Sequence, residues 1–252
     1  MFDGCERSVI TSVHEPANTG KRRRDPSRVE LLQFQPGTGY VNAHRILRIQ
    51  GYSNPVSVRP AIARAAELMA SRAMELCRAQ LATRQLGIEG LDASGVDLED
   101  GHRLNCAAFE DRLRDCDEVV GFVLTCGSSL DQAIVDFADS GDLLEAVLLE
   151  SAGWLCLEDA TRQFKQVIAQ RAAARGKRIT SRMGPGYSYA VHNSHVDWPL
   201  EDQPHLFELL GGVELPVTLM SSFAMNPKLS RSGLYGIAPL HDSRAGRPRP
   251  LN

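Results

Sequence analysis

The sequence predicts a domain of mixed helices and strands, on three observations. Asp117-Glu118-Val119-Val120-Gly121-Phe122-Val123-Leu124-Thr125 is a β-branched apolar run closed by Cys126-Gly127-Ser128-Ser129, a buried strand meeting a turn. From about Val58 to Leu86, Ile62, Ala65, Ala66, Met69, Ala73, Leu76 and Cys77 recur at three- and four-residue steps, one face of a long helix. Leu143 to about Ala172 repeats that spacing through Leu148, Leu155, Cys156, Phe164 and Ile168, and reads as one long helix or a broken pair.

The remaining elements follow in chain order. Residues 1–35 form a polar leader bearing the basic run Lys21-Arg22-Arg23-Arg24, a solvated tail or, alternatively, a docking arm. Ile46–Ile49 alternates weakly before the turn signal Gly51-Tyr52-Ser53-Asn54-Pro55, and a strand or short lead-in is expected there. Residues 87–115 are mixed and rich in Gly and Asp. Leu130–Ala138 is helical in pattern, and the preceding Gly-Ser-Ser is either a plain turn and N-cap or a helix start facing an anion. Glu150 and Glu158, eight apart, share roughly one helix face and read as solvated charges or as a pair directed at one pocket. In the last third, punctuated by Gly184-Pro185-Gly186, Pro199, Gly211-Gly212 and Pro216, Pro204–Leu210 looks helical and Val217–Met220 looks like a strand. From His241 a frayed tail is expected, which leaves 36–240 as the domain.

Composition narrows the function. A net charge of −3 with one short basic run argues against a general nucleic-acid role, which needs a concentrated basic surface. The apolar stretches are too short to cross a bilayer and the N-terminus has no signal-peptide core, so no membrane association and a cytoplasmic location are expected. The six cysteines are scattered without a C-x-x-C pair or a Cys/His cluster; they read as buried thiols, and no metal site is expected.

Two glycine-bearing segments stand out as places for chemistry. In Arg182-Met183-Gly184-Pro185-Gly186-Tyr187 two glycines permit close approach to a ligand, an arginine can grip a carboxylate bidentately, and a tyrosine supplies a phenol. Ser230-Arg231-Ser232-Gly233-Leu234-Tyr235-Gly236 again sets a tyrosine between glycines, and reads as a loop. Either segment taken alone is also compatible with an ordinary turn.

Arg182–Tyr187 resembles the Arg-Pro-Ala-Pro-Gly-Tyr motif of the S-adenosylmethionine-binding activation (reactivation) domain of cobalamin-dependent methionine synthase. Leu206–Leu210 resembles the short helix that follows it there, Thr218–Pro227 its Leu-Thr-Glu-Ser-Phe-Ala-Met-x-Pro stretch, and Ser230–Tyr235 its Ser-Val-Ser-Gly-Trp-Tyr. Cys116–Gly127 is similar to a strand in freestanding relatives of that domain. The likeness spans about residues 40–240, in the same order. It implies an α+β fold with a bent, mainly antiparallel sheet flanked by the long helices. It further implies that Arg182 takes the carboxylate of S-adenosylmethionine, that Gly184 and Gly186 give close backbone contact, that Tyr235 and Gly236 hold the nucleoside side, and that Tyr187 is the catalytic residue facing the corrinoid.

The chain lacks the Asp-x-His-x-x-Gly signature of corrinoid-binding modules, so the resemblance implies cobalamin carried by a partner, a corrinoid-binding protein or cobalamin-dependent methyltransferase, with a flavodoxin- or ferredoxin-like electron donor. The implied activity is reactivation by reductive methylation. Departures are Met183 and Gly184 in place of the family's proline and alanine, Ser188 after the tyrosine, and an apparent insertion, Ser188–Val196, carrying His192 and His195. They keep two alternatives open, a non-catalytic binding or assembly module for a corrinoid protein and a methyltransferase with another acceptor. Glu158 is an acidic ligand-contact candidate by helix face.

Overall fold

The structure, a computed structural model, describes residues 28–52, 54, 58–191, 194–211 and 217–240. The Lys21–Arg24 run, Cys5, Pro55, His192, Gly212, Pro216 and the expected tail lie outside the described residues. In chain order the elements are β1 (Glu30–Phe34), α1 (Ala43–Ile49), α2 (Pro60–Leu76), β2 (Ala79–Asp92), β3 (Gly95–Leu98), β4 (Arg103–Asn105), α3 (Ala108–Arg112), β5 (Glu118–Thr125), α4 (Ser128–Asp139), α5 (Leu143–Ala173), β6 (Lys177–Ile179), β7 (Tyr187–Val191), β8 (Ser194–Trp198), α6 (Gln203–Glu208), β9 (Thr218–Leu219), β10 (Met225–Asn226) and β11 (Ser230–Pro239).

The main sheet runs β4-β3-β2-β5-β11-β6, with β1 also on β2, and these pairings are antiparallel. β2 serves three neighbours, with β1 on Ala79–Thr83. Its first half pairs with β5 and its last residues with β3, across a register shift between Ile88 and Gly90 that bends the sheet. Alternation along β5 separates the two faces. Val120, Phe122 and Leu124 join a core with Met69 and Ala73 of α2 and Ala152, Cys156 and Phe164 of α5. Val119 joins the other, with Leu86, Leu234, Phe109, Met183, Trp198 and Leu206, where Phe109 and Trp198 meet edge to face at 4.8 Å. This is the α+β arrangement of a bent antiparallel sheet flanked by helices.

Several elements differ from the sequence expectations. The helix expected over Val58–Leu86 stops at Leu76, because Cys77 turns extended (ψ 127°) and Ala79 onward pairs with β1 and β5. Ile46–Ile49 is helical, not a strand or lead-in: Asn42 caps α1 by accepting the Arg45 N–H at 3.1 Å. Glu30–Phe34, placed in the leader, is strand β1. Leu143–Ala173 is one unbroken helix; at Gly153 a Cβ would come within 2.4 Å of Leu229, so the glycine admits that side chain. Ser230–Gly236 is not a loop but most of β11, inside the sheet between β5 and β6.

An ion cluster closes the α5–β6 corner. Glu118 accepts from Arg175, Lys177 and Gln85, and Lys177 also reaches Asp117 at 2.6 Å. Burial pushes the Glu118 carboxyl up, but its bonds to Arg175 and Lys177 outweigh that and hold it below its ordinary 4.5. A depressed folded-state pKa contributes stability that is present above the unfolded value and lost as pH falls through the folded one. Stability measured by urea unfolding is therefore expected to drop as pH is lowered below 4.5. Glu118→Gln should flatten that acid limb by on the order of 1 kcal/mol; an unchanged limb would remove Glu118 from the cause.

Candidate functional site

The two segments singled out in the sequence meet in space. Met183 and Leu234 exchange backbone hydrogen bonds (2.9 and 2.7 Å), which lays the Arg182–Tyr187 loop along β11. Contact this close requires glycine at 233, where a Cβ would stand 2.6 Å from the Met183 carbonyl oxygen and 3.2 Å from Arg182 Cγ. The Arg182 guanidinium donates to the Ser232 carbonyl at 3.2 Å and lies 4.8 Å over the ring of Tyr187, which is 49% exposed.

Beside this loop lies an open groove of about 410 Å³, lined among others by Arg112, Cys116, Arg178, Thr180, Arg182 and Tyr189. Arg178 faces Asp115 at 3.4 Å, and Arg112 lies 3.8 Å from Asp111 and donates to the Ala190 carbonyl. Arg182, half-buried, has no carboxylate within ion-pair distance among the described residues. Burial raises the Cys116 thiol to about 11, so it stays protonated at neutral pH and is a poor nucleophile.

The apparent insertion is the β7–β8 hairpin, and it closes over the loop. The Gly184 N–H donates to the Tyr189 hydroxyl at 2.7 Å, and that hydroxyl donates to the Gly184 carbonyl at 2.9 Å. Burial raises the Tyr189 pKa, which keeps the phenol neutral and able to donate. Gly186, at φ 82°, gives its N–H to the Trp198 carbonyl at 2.7 Å. Both glycine amides are thus engaged within the protein; Gly184 is buried with its carbonyl also held by Tyr189, while Gly186 is exposed.

Tyr235 and Gly236 sit elsewhere than the loop reading placed them. The Tyr235 ring is in the helix-side core, 1% exposed, stacked on Phe122 at 5.7 Å and edge-on to Phe164 at 6.2 Å. The Gly236 N–H donates to the Thr180 hydroxyl and its carbonyl accepts from the Thr180 N–H, both at 2.9 Å, and a Cβ there would meet Cys116 Sγ at 2.5 Å. Of the ligand residues inferred from sequence, Arg182 alone is in the groove lining. Glu158 pairs with Arg231 at 2.5 Å and Glu150 with Lys228, so these two carboxylates answer basic residues around the start of β11. Among the described residues no cluster of His, Cys, Asp or Glu could hold a metal, and no helix is long and apolar enough to cross a membrane.

Tyr189, Gln203 and Arg178 of this neighbourhood were not singled out in the sequence, and Ser232 stood there only as part of its segment. For Tyr189 a signal was present, since Tyr187, Tyr189 and Val191, then Val196 and Trp198, alternate about His192-Asn193 as a hairpin does. Gln203 and Ser232 carried no signal beyond residue type.

No protein-family model matches the sequence, and no curated protein matches it. Among solved structures, a crystal structure of the MetH reactivation domain bound to AdoHcy is similar, with a TM-score of 0.61 and 14% identity, covering 87% of this chain and 80% of that one. At that identity the likeness is one of fold, and the chain has the fold of the MetH reactivation domain.

Proposed function

We propose that this chain binds S-adenosylmethionine and supports the reductive methylation, and hence reactivation, of the cob(II)alamin form of a separate corrinoid protein. The observation that carries the reading is Arg182, a half-buried guanidinium on the wall of a 410 Å³ groove that, among the described residues, has no carboxylate within ion-pair distance of it, Asp111 and Asp115 of the same groove pairing with Arg112, Arg114 and Arg178. A planar fork so placed suits the carboxylate of an amino-acid ligand. The fold shared with an AdoHcy-bound reactivation domain supports an adenosyl ligand of that class. S-Adenosylmethionine supplies the methyl group and leaves as S-adenosylhomocysteine; the electron required comes from a flavodoxin- or ferredoxin-like donor. The chain's own work is to hold the ligand by Arg182 against the Gly184–Gly186 loop and to present Tyr187 to the partner.

Direct titration calorimetry with S-adenosylmethionine and S-adenosylhomocysteine tests binding, and methylation of a purified corrinoid protein under fixed reductant tests the activity. Tyr187→Phe is expected to leave S-adenosylhomocysteine affinity within about twofold, because the ring under Arg182 is kept. The same change should alter the partner's cob(II)alamin spectrum in the complex and slow its methylation. Identical spectra and rates would return Tyr187 to the scaffold.

One observation favours a second reading, a non-catalytic binding or assembly module for a corrinoid protein. The hairpin engages both loop amides through Tyr189 and Trp198. Partner binding without adenosyl-ligand binding would establish that reading over the first.

A further inference from the structure

A hydrogen-bond chain with a buried central link runs from the Arg182 anchor to the exposed β9–β10 turn. Arg182 donates to the Ser232 carbonyl (3.2 Å), the Ser232 hydroxyl donates to Gln203 Oε1 (2.8 Å), and Gln203 Nε2 donates to the Phe223 carbonyl (3.3 Å). Gln203 and Ser232 are 2% and 5% exposed. The amide orientation follows from its neighbours, because the reverse would set the Gln203 oxygen against the Phe223 carbonyl and leave two acceptors facing each other. Phe223 is the non-glycine residue with a left-handed backbone among the described residues (φ 61°), a conformation costly for a side chain of this size that persists only where its surroundings impose it. Gln203 supplies that restraint from below, and the Phe223 N–H to Met220 carbonyl bond (2.9 Å) supplies it within the turn.

We infer that Gln203 is a positioning residue for the ligand site: through Ser232 it fixes the carbonyl on which the Arg182 guanidinium is aimed, and through Phe223 it fixes the turn Met220–Ala224 in the same frame. This rests on the reading of Arg182 as the ligand's anchor. Buried polar groups that are fully satisfied specify one arrangement, and opening one link releases both ends. Gln203→Leu keeps much of the volume and removes both links; Ser232→Ala removes the hydroxyl and keeps the carbonyl.

The test is a double-mutant cycle read by calorimetry with S-adenosylhomocysteine on the full chain. Gln203→Leu is expected to weaken binding roughly fivefold and Ser232→Ala roughly threefold. Both losses should vanish in the Arg182→Ala background, because the two residues act through Arg182. Amide hydrogen exchange at Phe223 should quicken in Gln203→Leu, a local readout that general destabilisation would not confine to the turn. Wild-type affinity in both variants, equal losses with and without Arg182, or unchanged exchange at Phe223 would overturn the inference while leaving the ligand reading intact. Failure of the wild-type chain to bind would overturn the reading and the inference with it. Ser232→Ala keeps the test informative if Gln203→Leu does not fold.

Discussion

Arg182→Ala is expected to weaken S-adenosylmethionine binding by on the order of 1.5–3 kcal/mol, the cost of losing a charge-assisted bidentate contact, or roughly ten- to a hundredfold in Kd. The groove geometry supports the upper part of that range. Arg182 is half-buried, so water competes less for the fork than at an exposed site, and the Ser232 carbonyl and Tyr187 ring already hold it in place. Arg182→Lys should lie between, keeping the charge and losing the planar fork. Fold stability should change little, because Arg182→Ala deletes one bond to a backbone carbonyl, worth about 1 kcal/mol. Calorimetry on the three proteins decides it; equal affinities would take Arg182 out of the site.

Asp159→Ala carries the largest expected loss of stability, about 3 kcal/mol, read as a lower midpoint in thermal or urea unfolding. The carboxylate is fully buried on α5 and accepts from the Gly37 N–H (2.9 Å), Gln163 Nε2 (3.0 Å) and Arg162 Nε and Nη2 (3.0 and 2.6 Å). Removing it takes the acceptor from the Gly37 N–H, while Gln163 keeps its bond to the Gln35 carbonyl. Gly37 is exposed and Arg162 is 45% exposed at its side chain, so both regain water in part, and the penalty comes from the lost bonds together with the space left in the core. Asp159→Asn keeps an acceptor and should cost about half as much. A midpoint unchanged in Asp159→Ala would mean that the Gln35–Gly37 segment is held by other contacts.

These two residues differ in how far the sequence revealed them. Arg182 announced itself by its company, an arginine and a tyrosine around Gly-Pro-Gly. Asp159 left a fainter mark, a carboxylate at helical spacing with Cys156 and Gln163, two side chains that the fold buries.

The sequence by itself determined the strand over Asp117–Thr125, the helical pattern from Leu143 to about Ala172, the helices over Leu130–Ala138 and Pro204–Leu210 to within a few residues, and, by resemblance, the bent antiparallel sheet between helices; only the structure decided that Leu143–Ala173 is one helix. In these elements burial, spacing and propensity agree locally. Only the tertiary structure decided where the first long helix ends, since Leu76–Arg78 holds no Gly or Pro and pairing with β5 breaks it off. Only it decided that Ser230–Gly236 is an interior strand: its glycines look like loop signals, yet Gly233 and Gly236 stand where Met183 and Cys116 press against the backbone. Most of all, it decided the make-up of the groove. Tyr235, prominent in the sequence, is spent on the core, while Tyr189 and Arg178 come to the groove beside Arg182. Which side of a strand faces a cavity depends on register and on what packs against it, and neither is encoded within a few residues of the side chain concerned.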